Sequence, residues 1–406
     1  VSTSPCPADQ RKARREADRN HPAYEWELRG TQRVLVIRDF GLGHAFLRLP
    51  EGTRQAGFGA QFTPRTRFMN PPTLFNDGPA HREQRRAAAR FFTPRAVTRT
   101  HEPMMVDLAD ELVTTMERQG GGDLALLSFR MAMAVVAAIV GLTESDPRGL
   151  ESRLEGFFET APAVGKVPLR TMVRETAIAQ GRVLRFYVRD VRPAIRARRA
   201  EPRDDVISHL VAAGMRPQDI VIEALTYAAA GMVTTRQFIP MALWHLVEQP
   251  ALRERYLAAG TDERLRILAE IIRLETVAGN LLRTVTHPLR LEHGERAVDI
   301  PAGTLVDVAL RATNTDEAAV GSCPFTLDTE RTLAPKIPPA GMAFGAGAHS
   351  CPGEYLAMHE TDILLRRLFR NEVTIEREPD LAWNDLVLAY DLSDFRIRLT
   401  PPQSSS

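Results

Sequence analysis

Lysine is almost missing from this chain: among 406 residues it occurs only at Lys12, Lys166 and Lys336, although Lys and Arg together number 52. The arginine excess reads as a GC-rich coding bias rather than as a functional patch. Cysteine is as scarce, and Cys6, Cys323 and Cys351 are too few and too scattered for a disulfide framework. That excludes a small stapled secreted domain and fits a reducing cytoplasm. Long apolar runs are lacking too. The N-terminal VSTSPCPADQRKARREADR has nothing that could cross a bilayer or act as a signal core, and MAMAVVAAIV, though apolar throughout, is too short to span one. A formal net charge of +1 leaves no electrostatic footprint for nucleic acid. No internal repeat or low-complexity linker marks a domain boundary. What is present is a 44% hydrophobic, 25% charged composition, ordinary for a globular protein with a large core.

One stretch organises the rest. FGAGAHSCPG, Phe344 to Gly353, places a single cysteine in a glycine-rich loop that runs into an amphipathic segment, Glu354 to Phe369, with Leu364, Leu365, Leu368 and Phe369 at helical spacing. Pro352 suits the first helical position, where a missing N–H costs nothing. Cys351 is therefore expected at a helix N-terminus, where the dipole and unpaired N–H groups favour the metal-ligating thiolate. Gly345 and Gly347 let the backbone turn and approach something flat.

Upstream, Tyr24 to Leu28 reads as a short helix and Arg33 to Ile37 as a strand. Arg54 to Phe75 mixes Gly, Pro and aromatics without a period, and such long irregular loops are often functional. PAHREQRRAAARFF predicts a helix from about Pro79, with His81 and Arg85 four apart on one face and Arg82, Arg86 and Arg90 on a stripe rotated away from it. Two donors on one face suit a carboxylate. Helical runs follow over His101–Gln119 and Ser128–Val140, then a break near Ala161–Pro168, and an arginine-rich helix from about Thr171 toward Arg199. Asp219 to His245 predicts a long helix with a small-residue centre, Ala228, Ala229, Ala230 and Gly231, open to close approach by a ring system. Pro240 should disturb its ladder. Glu270 and Arg273 lie three apart, spaced to pair on a helix. Thr304–Leu310 reads as a strand and Leu386–Leu399 as a hairpin.

Together these motifs resemble the cytochrome P450 family over nearly the whole chain. The cysteine loop matches its aromatic-Gly-x-Gly-x-His-x-Cys-x-Gly signature, and H-x-x-x-R, A-G-x-x-T and E-x-x-R precede it in the family's order. The resemblance implies a mainly α fold with small β-sheets, one triangular-prism-like body over 22–400 flanked by tails at 1–21 and 401–406. It implies heme b, iron protoporphyrin IX, with Cys351 as axial thiolate. Phe344, Gly345, Gly353 and Ala357 would flank the heme, and His81, Arg85, Arg283 and His349 would reach its propionates. Ala230, Gly231 and Thr234 would form the oxygen-activating segment, Thr234 helping to deliver protons. Glu270, Arg273 and Arg331 would form the structural triad. Phe68, Met69, Tyr227, Ala278 and Asn280 are candidates for the substrate pocket, as are Phe58, Phe62 and Phe75, and 161–168 resembles a lid.

The activity implied is a dioxygen-dependent monooxygenase of the soluble bacterial kind. It would be cytoplasmic and monomeric, hydroxylating a hydrophobic small molecule in secondary metabolism with electrons from a ferredoxin and ferredoxin reductase. The Arg82–Arg86–Arg90 stripe is a candidate docking face for that acidic donor. One departure stands out: Val233 occupies the place of the family's acid before Thr234, and a valine cannot relay a proton. Glu223 lies eleven residues back, roughly 16 Å along a helix, too far to substitute locally. Arg236, Gln237, a substrate hydroxyl or water remain. Oxidative C–C or C–N coupling and a non-enzymatic heme sensor are the alternative readings.

Overall fold

The computed structural model describes residues 21–58, 60, 70–158 and 169–402. The tail up to residue 20, Phe62, Phe68 and Met69, the 161–168 segment and residues 403–406 lie outside them. The architecture is mainly helical with small sheets. Tyr24–Leu28, read above as helical, is instead part of strand β1 (Tyr24–Arg29), paired antiparallel with β2 (Gln32–Ile37). Gly30 at a φ of 64° makes the turn, and the Arg33 guanidinium lies 4.6 Å from the Trp26 ring across the pair. Partnering by β2, invisible to local propensity, decides the strand.

After α1 (Phe40–Leu47) and β3 (Thr53–Gln55) come α2 (Gly78–Ala89), α3 (Glu102–Arg118), β4 (Gly121–Asp123) and α4 (Leu124–Val140). Helices α5 (Pro147–Phe158), α6 (Leu169–Phe186), α7 (Arg192–Ala200) and α8 (Val206–Ala212) lead to the 32-residue α9 (Pro217–Glu248). The expected helix toward Arg199 is interrupted by a π-turn at Tyr187–Val191, where buried Asp190 accepts from two Arg153 nitrogens, each at 2.6 Å. Next are α10 (Pro250–Ala258), α11 (Thr261–Leu274), and strands β5 (Asn280–Val285), β6 (Leu289–His293), β7 (Arg296–Ile300) and β8 (Leu305–Ala309). Helix α12 (Glu354–Leu368) and strands β9 (Glu372–Arg377), β10 (Asp380–Asn384), β11 (Ala389–Ser393) and β12 (Arg396–Thr400) complete the described chain.

Two apolar cores hold these elements. The larger is helical: the apolar run Met131–Val140 of α4 packs along α9, so Met131, Val135, Val136, Ala228 and Met232 share one cluster. The smaller lies on a five-stranded sheet of order β1-β2-β8-β5-β3, with Leu35, Ile37, Phe46, Val285, Val306 and Val308 inside. The chain passes between them at the end of α11, since Val277 belongs to the helical cluster and Leu281 packs on the sheet cluster. The two strands in Leu386–Leu399 are not each other's hairpin partners. β11 pairs with β10, while β12 pairs with β9 and β4.

Candidate heme-thiolate site

The cysteine loop is built by backbone hydrogen bonds on glycine turns. The Cys351 N–H donates to the Phe344 carbonyl at 2.8 Å, and Gly345 and Gly347 have φ of 72° and 71°. At Gly347 a Cβ would sit 2.3 Å from the Leu47 carbonyl oxygen, so the close approach there is to the end of α1. Helix α12 starts at Glu354 with Gly353 as its N-cap, so Pro352 lies in the preceding turn and not at the first helical position. The sulfur receives the backbone N–H groups of Gly353 and Glu354, but burial outweighs them and pushes the thiol pKa up. The helix terminus alone does not make a thiolate here; a bound cation at the sulfur would. Cys351 nonetheless carries accessible surface while ringed by protein, because it borders a cavity of about 530 Å³ lined also by Phe344, Leu265, Tyr355 and Met358.

Beside the loop, four donors from three segments converge. Helix α2 presents His81 and Arg85, β5 presents Arg283, and the loop presents His349. The imidazoles of His81 and His349 stack at 3.9 Å, and Arg85 Nη2 donates to the Ser350 carbonyl at 2.6 Å. Burial, then the proximity of His349 and Arg85, pushes the His81 pKa down to about 4, although Asp77 opposes this. Burial likewise holds Arg283 down at about 10, and its guanidinium donates to Gln55. Asp77, whose Oδ1 lies 3.3 Å from His349 Nε2, supplies the carboxylate charge that offsets these shifts. A pocket of about 270 Å³, lined by Asp77, His81, Arg283 and His349, opens among them. So much donor character against so little anionic charge fits a ligand carrying carboxylates, which is what heme propionates are. Asp77 and Gln55 were not singled out in the sequence; the position of Asp77 just before a helical run was the only signal it gave.

Along α9 the wall is apolar and then opens. Ala230 is exposed in mid-helix and Thr234 half-buried, although Ala228 and Met232 are fully buried. Thr234 Oγ1 donates to the Ala230 carbonyl at 2.8 Å, leaving its lone pairs free to accept. Gly231 has a different reason from the one expected: its Cβ would come 2.5 Å from Val136 Cγ2, so its bareness lets α4 and α9 pack. Val233 is buried in a small cluster with Val387, Ala389 and half-buried Phe58. Of the two side chains left open as replacements for the acid, each has a contact elsewhere. Arg236 sits 5.3 Å from the Phe129 ring, and Gln237 Oε1 accepts from the Leu392 N–H at 2.6 Å.

Glu270 and Arg273 pair twice, at 2.7 and 2.8 Å, and Arg331 Nε reaches Glu270 at 3.2 Å, which brings all three together. Arg273 also donates to the Asn314 and Pro324 carbonyls, tying α11 to the loop before the cysteine. Ala357, half-buried on α12, donates its N–H to the Gly353 carbonyl at 2.9 Å. Tyr227 stacks on Phe92 at 5.8 Å. Asn280 is not a free handle over a pocket: in β5 its amide donates to buried Asp307 at 2.6 Å, and Asp307 also pairs with Arg29. Ala278 packs on the sheet cluster. Phe75 falls in a short 3-10 turn, Thr73–Phe75.

A cysteine offered from a glycine loop before a helix, beside a cradle of donors suited to carboxylates, is the arrangement that a heme-thiolate protein requires. The comparisons agree. The family model described as Cytochrome P450 matches residues 266–380. Cytochrome P450 130 of Mycobacterium tuberculosis is 29% identical over 323 residues, covering 77% of this chain and 75% of its own length. Vitamin D(3) 25-hydroxylase of Pseudonocardia autotrophica is 26% identical over 366 residues, covering 87% and 82%. Among solved structures, CYP109B1 of Bacillus subtilis superposes with a TM-score of 0.76 at 19% identity, covering 96% of this chain and 99% of that one, and so shares the fold. The family-model match, the curated relatives and the shared fold support a bacterial cytochrome P450, a family of monooxygenases whose cofactor is heme with a cysteine-ligated iron.

Proposed function

We propose that this protein hydroxylates a hydrophobic small molecule of secondary metabolism, with electrons supplied singly by a ferredoxin and its reductase in the cytoplasm. The observation that carries the reading is the pairing of Cys351 with the adjacent anion cradle. In this reading Cys351 ligates the iron, and His81, Arg85, Arg283 and His349 hold the two carboxylates. Heme, when bound, supplies the activation of dioxygen, while the chain orients, excludes water and moves protons. Thr234 accepts a hydrogen bond through the lone pairs that its contact with Ala230 leaves free. Phe58, Tyr227 and the β10–β11 region wall the substrate.

Similarity to a protein named as a vitamin D(3) hydroxylase, and to a CYP109E1 structure in complex with corticosterone, with a TM-score of 0.76, supports an apolar substrate. Among the described residues no helix is long and apolar enough to cross a membrane. Arg82, Arg86 and Arg90 are exposed on and just beyond α2, which supports docking of an acidic electron donor there. Oxidative coupling is the second reading, favoured by the apolar packing of Val233. Carbon monoxide binding to the reduced protein tests the thiolate: a strongly red-shifted Soret band is expected and should vanish in Cys351→Ala. Persistence of the band in that variant would remove the basis of the assignment. With a product in hand, incorporation of label from dioxygen separates hydroxylation from coupling.

A further inference from the structure

Glu223 is a buried carboxyl that the chemistry above does not use. Its Oε1 accepts from the Thr73 N–H at 2.9 Å and from Thr73 Oγ1 at 2.6 Å, while its Oε2 has no partner among the described residues. One turn earlier, Asp219 accepts from the Asn70 N–H at 2.9 Å and from the Asn70 side chain at 3.2 Å. Arg216 holds Asp219 in place at 2.8 Å. Two carboxylates on successive turns of α9 thus fasten the segment Asn70–Phe75. That segment leads directly into α2, because the Asn76 side chain spans from the Pro71 carbonyl at 2.9 Å to Gln84 at 2.7 Å.

At 100° per residue, Glu223, Tyr227, Ala230 and Thr234 fall within an arc of about 60° on one side of α9. Whatever covers Glu223 and Tyr227 therefore borders the opening at Ala230. We propose that Asp219 and Glu223 form a latch that holds Asn70–Phe75 against α9 and so sets the access of substrate to the space beside Ala230 and Thr234. The name of what passes rests on the monooxygenase reading; the latch itself does not.

A carboxyl with one oxygen doubly satisfied and the other dry is a poor permanent fastening, and a good releasable one. Burial raises the Glu223 pKa above 4.5, nearby Asp219 adds to this, and the two Thr73 bonds oppose it. Facing it are Tyr227 on the same helix, Arg85 of α2 beyond Tyr227, the Arg216–Asp219 pair, and uncharged Asn70 and Thr73 on the segment. The closed state binds the proton more firmly than an open, hydrated one. Closure is therefore most stable below about pH 4.5 and weakens as pH rises through the raised value. Opening lets the ionised carboxylate regain water.

Amide hydrogen exchange on the heme-loaded enzyme reads this without turnover. Exchange at Asn70 and Thr73 should rise with pH more steeply than base catalysis alone dictates, and Glu223→Gln should abolish the excess and slow exchange about threefold at pH 8. Thr73→Val, which removes one latch bond, should raise exchange at every pH. Association of 4-phenylimidazole with the heme iron, followed by its absorption shift, should be slower in Glu223→Gln and faster in Thr73→Val. Exchange with no excess pH dependence in the wild type, or equal in wild type and Glu223→Gln, overturns the latch. Association rates indifferent to both variants overturn its control of access. If Glu223→Gln fails to fold, the Thr73→Val results alone decide, because unchanged exchange there also overturns the latch. A protein that shows the latch but oxidises nothing would retire the functional reading and leave this one standing.

Discussion

Val233 marks where the packing of this chain departs from the pattern of its motifs. Aspartate there would have to lie against the apolar side chains of Val387, Ala389 and Phe58. Val233→Asp is therefore expected to cost about 2 kcal/mol or more, seen as a lower thermal midpoint. It should not raise the fraction of electrons that reach product. Val233→Thr, which keeps the shape and buries one hydroxyl, should cost less. A Val233→Asp variant that is as stable as wild type and better coupled would show that the site is built for an acid after all. Residue identity in the cysteine loop was legible because Cys351, Phe344, His349 and three glycines stand at fixed spacing. The protonation of its thiol was not, since burial, which decides it, is a property of the assembled molecule.

Helices were more legible than the contacts they make. The spacing of apolar residues predicts α4, α9 and α12 within a few positions, but says nothing of which face meets which. Gly231 illustrates the gap: a bare position in a small-residue run reads as room for a ligand, and the structure spends it on Val136 of α4. Gly231→Ala adds a helix former worth up to about 1 kcal/mol but overpacks the α4–α9 seam by about 1–3 kcal/mol, so a net loss of stability is expected. Adding Val136→Ala should recover part of it, and a double-mutant cycle by denaturant unfolding measures the coupling. If Gly231→Ala alone stabilises the protein, the seam is not tight. Strand partners were hidden for the same reason. Tyr24–Arg29, β11 and β12 find their mates far away in sequence, and Asn280 is claimed by Asp307 on a strand whose register no local pattern reveals.

At the scale of the whole molecule, the cradle joins the two cores. His81 and Arg85 come from α2, Arg283 from the sheet, and Cys351 and His349 from the loop that ends at α12. No single segment suffices, which is why the H-x-x-x-R pair meant little without the fold. Burial lowers both His81 and Arg283, and the neighbouring His349, Arg85 and Arg283 disfavour a further charge on His81. A ligand with two carboxylates offsets that cost and braces helix to sheet. Removing heme should therefore lower the thermal midpoint well beyond a surface effect, because a ligand bound only by the folded state stabilises it with the logarithm of one plus the ratio of free heme to its dissociation constant. Arg283→Gln should act with opposite signs on the two forms. The heme-free protein gains, because a buried guanidinium is replaced by a neutral amide beside Gln55; the loaded protein loses, because a charged hydrogen bond to the ligand is gone. Thermal unfolding of both forms of both proteins measures the crossing. An equal loss in the two forms would mean that Arg283 serves the sheet alone and that the cradle is not organised around an anion.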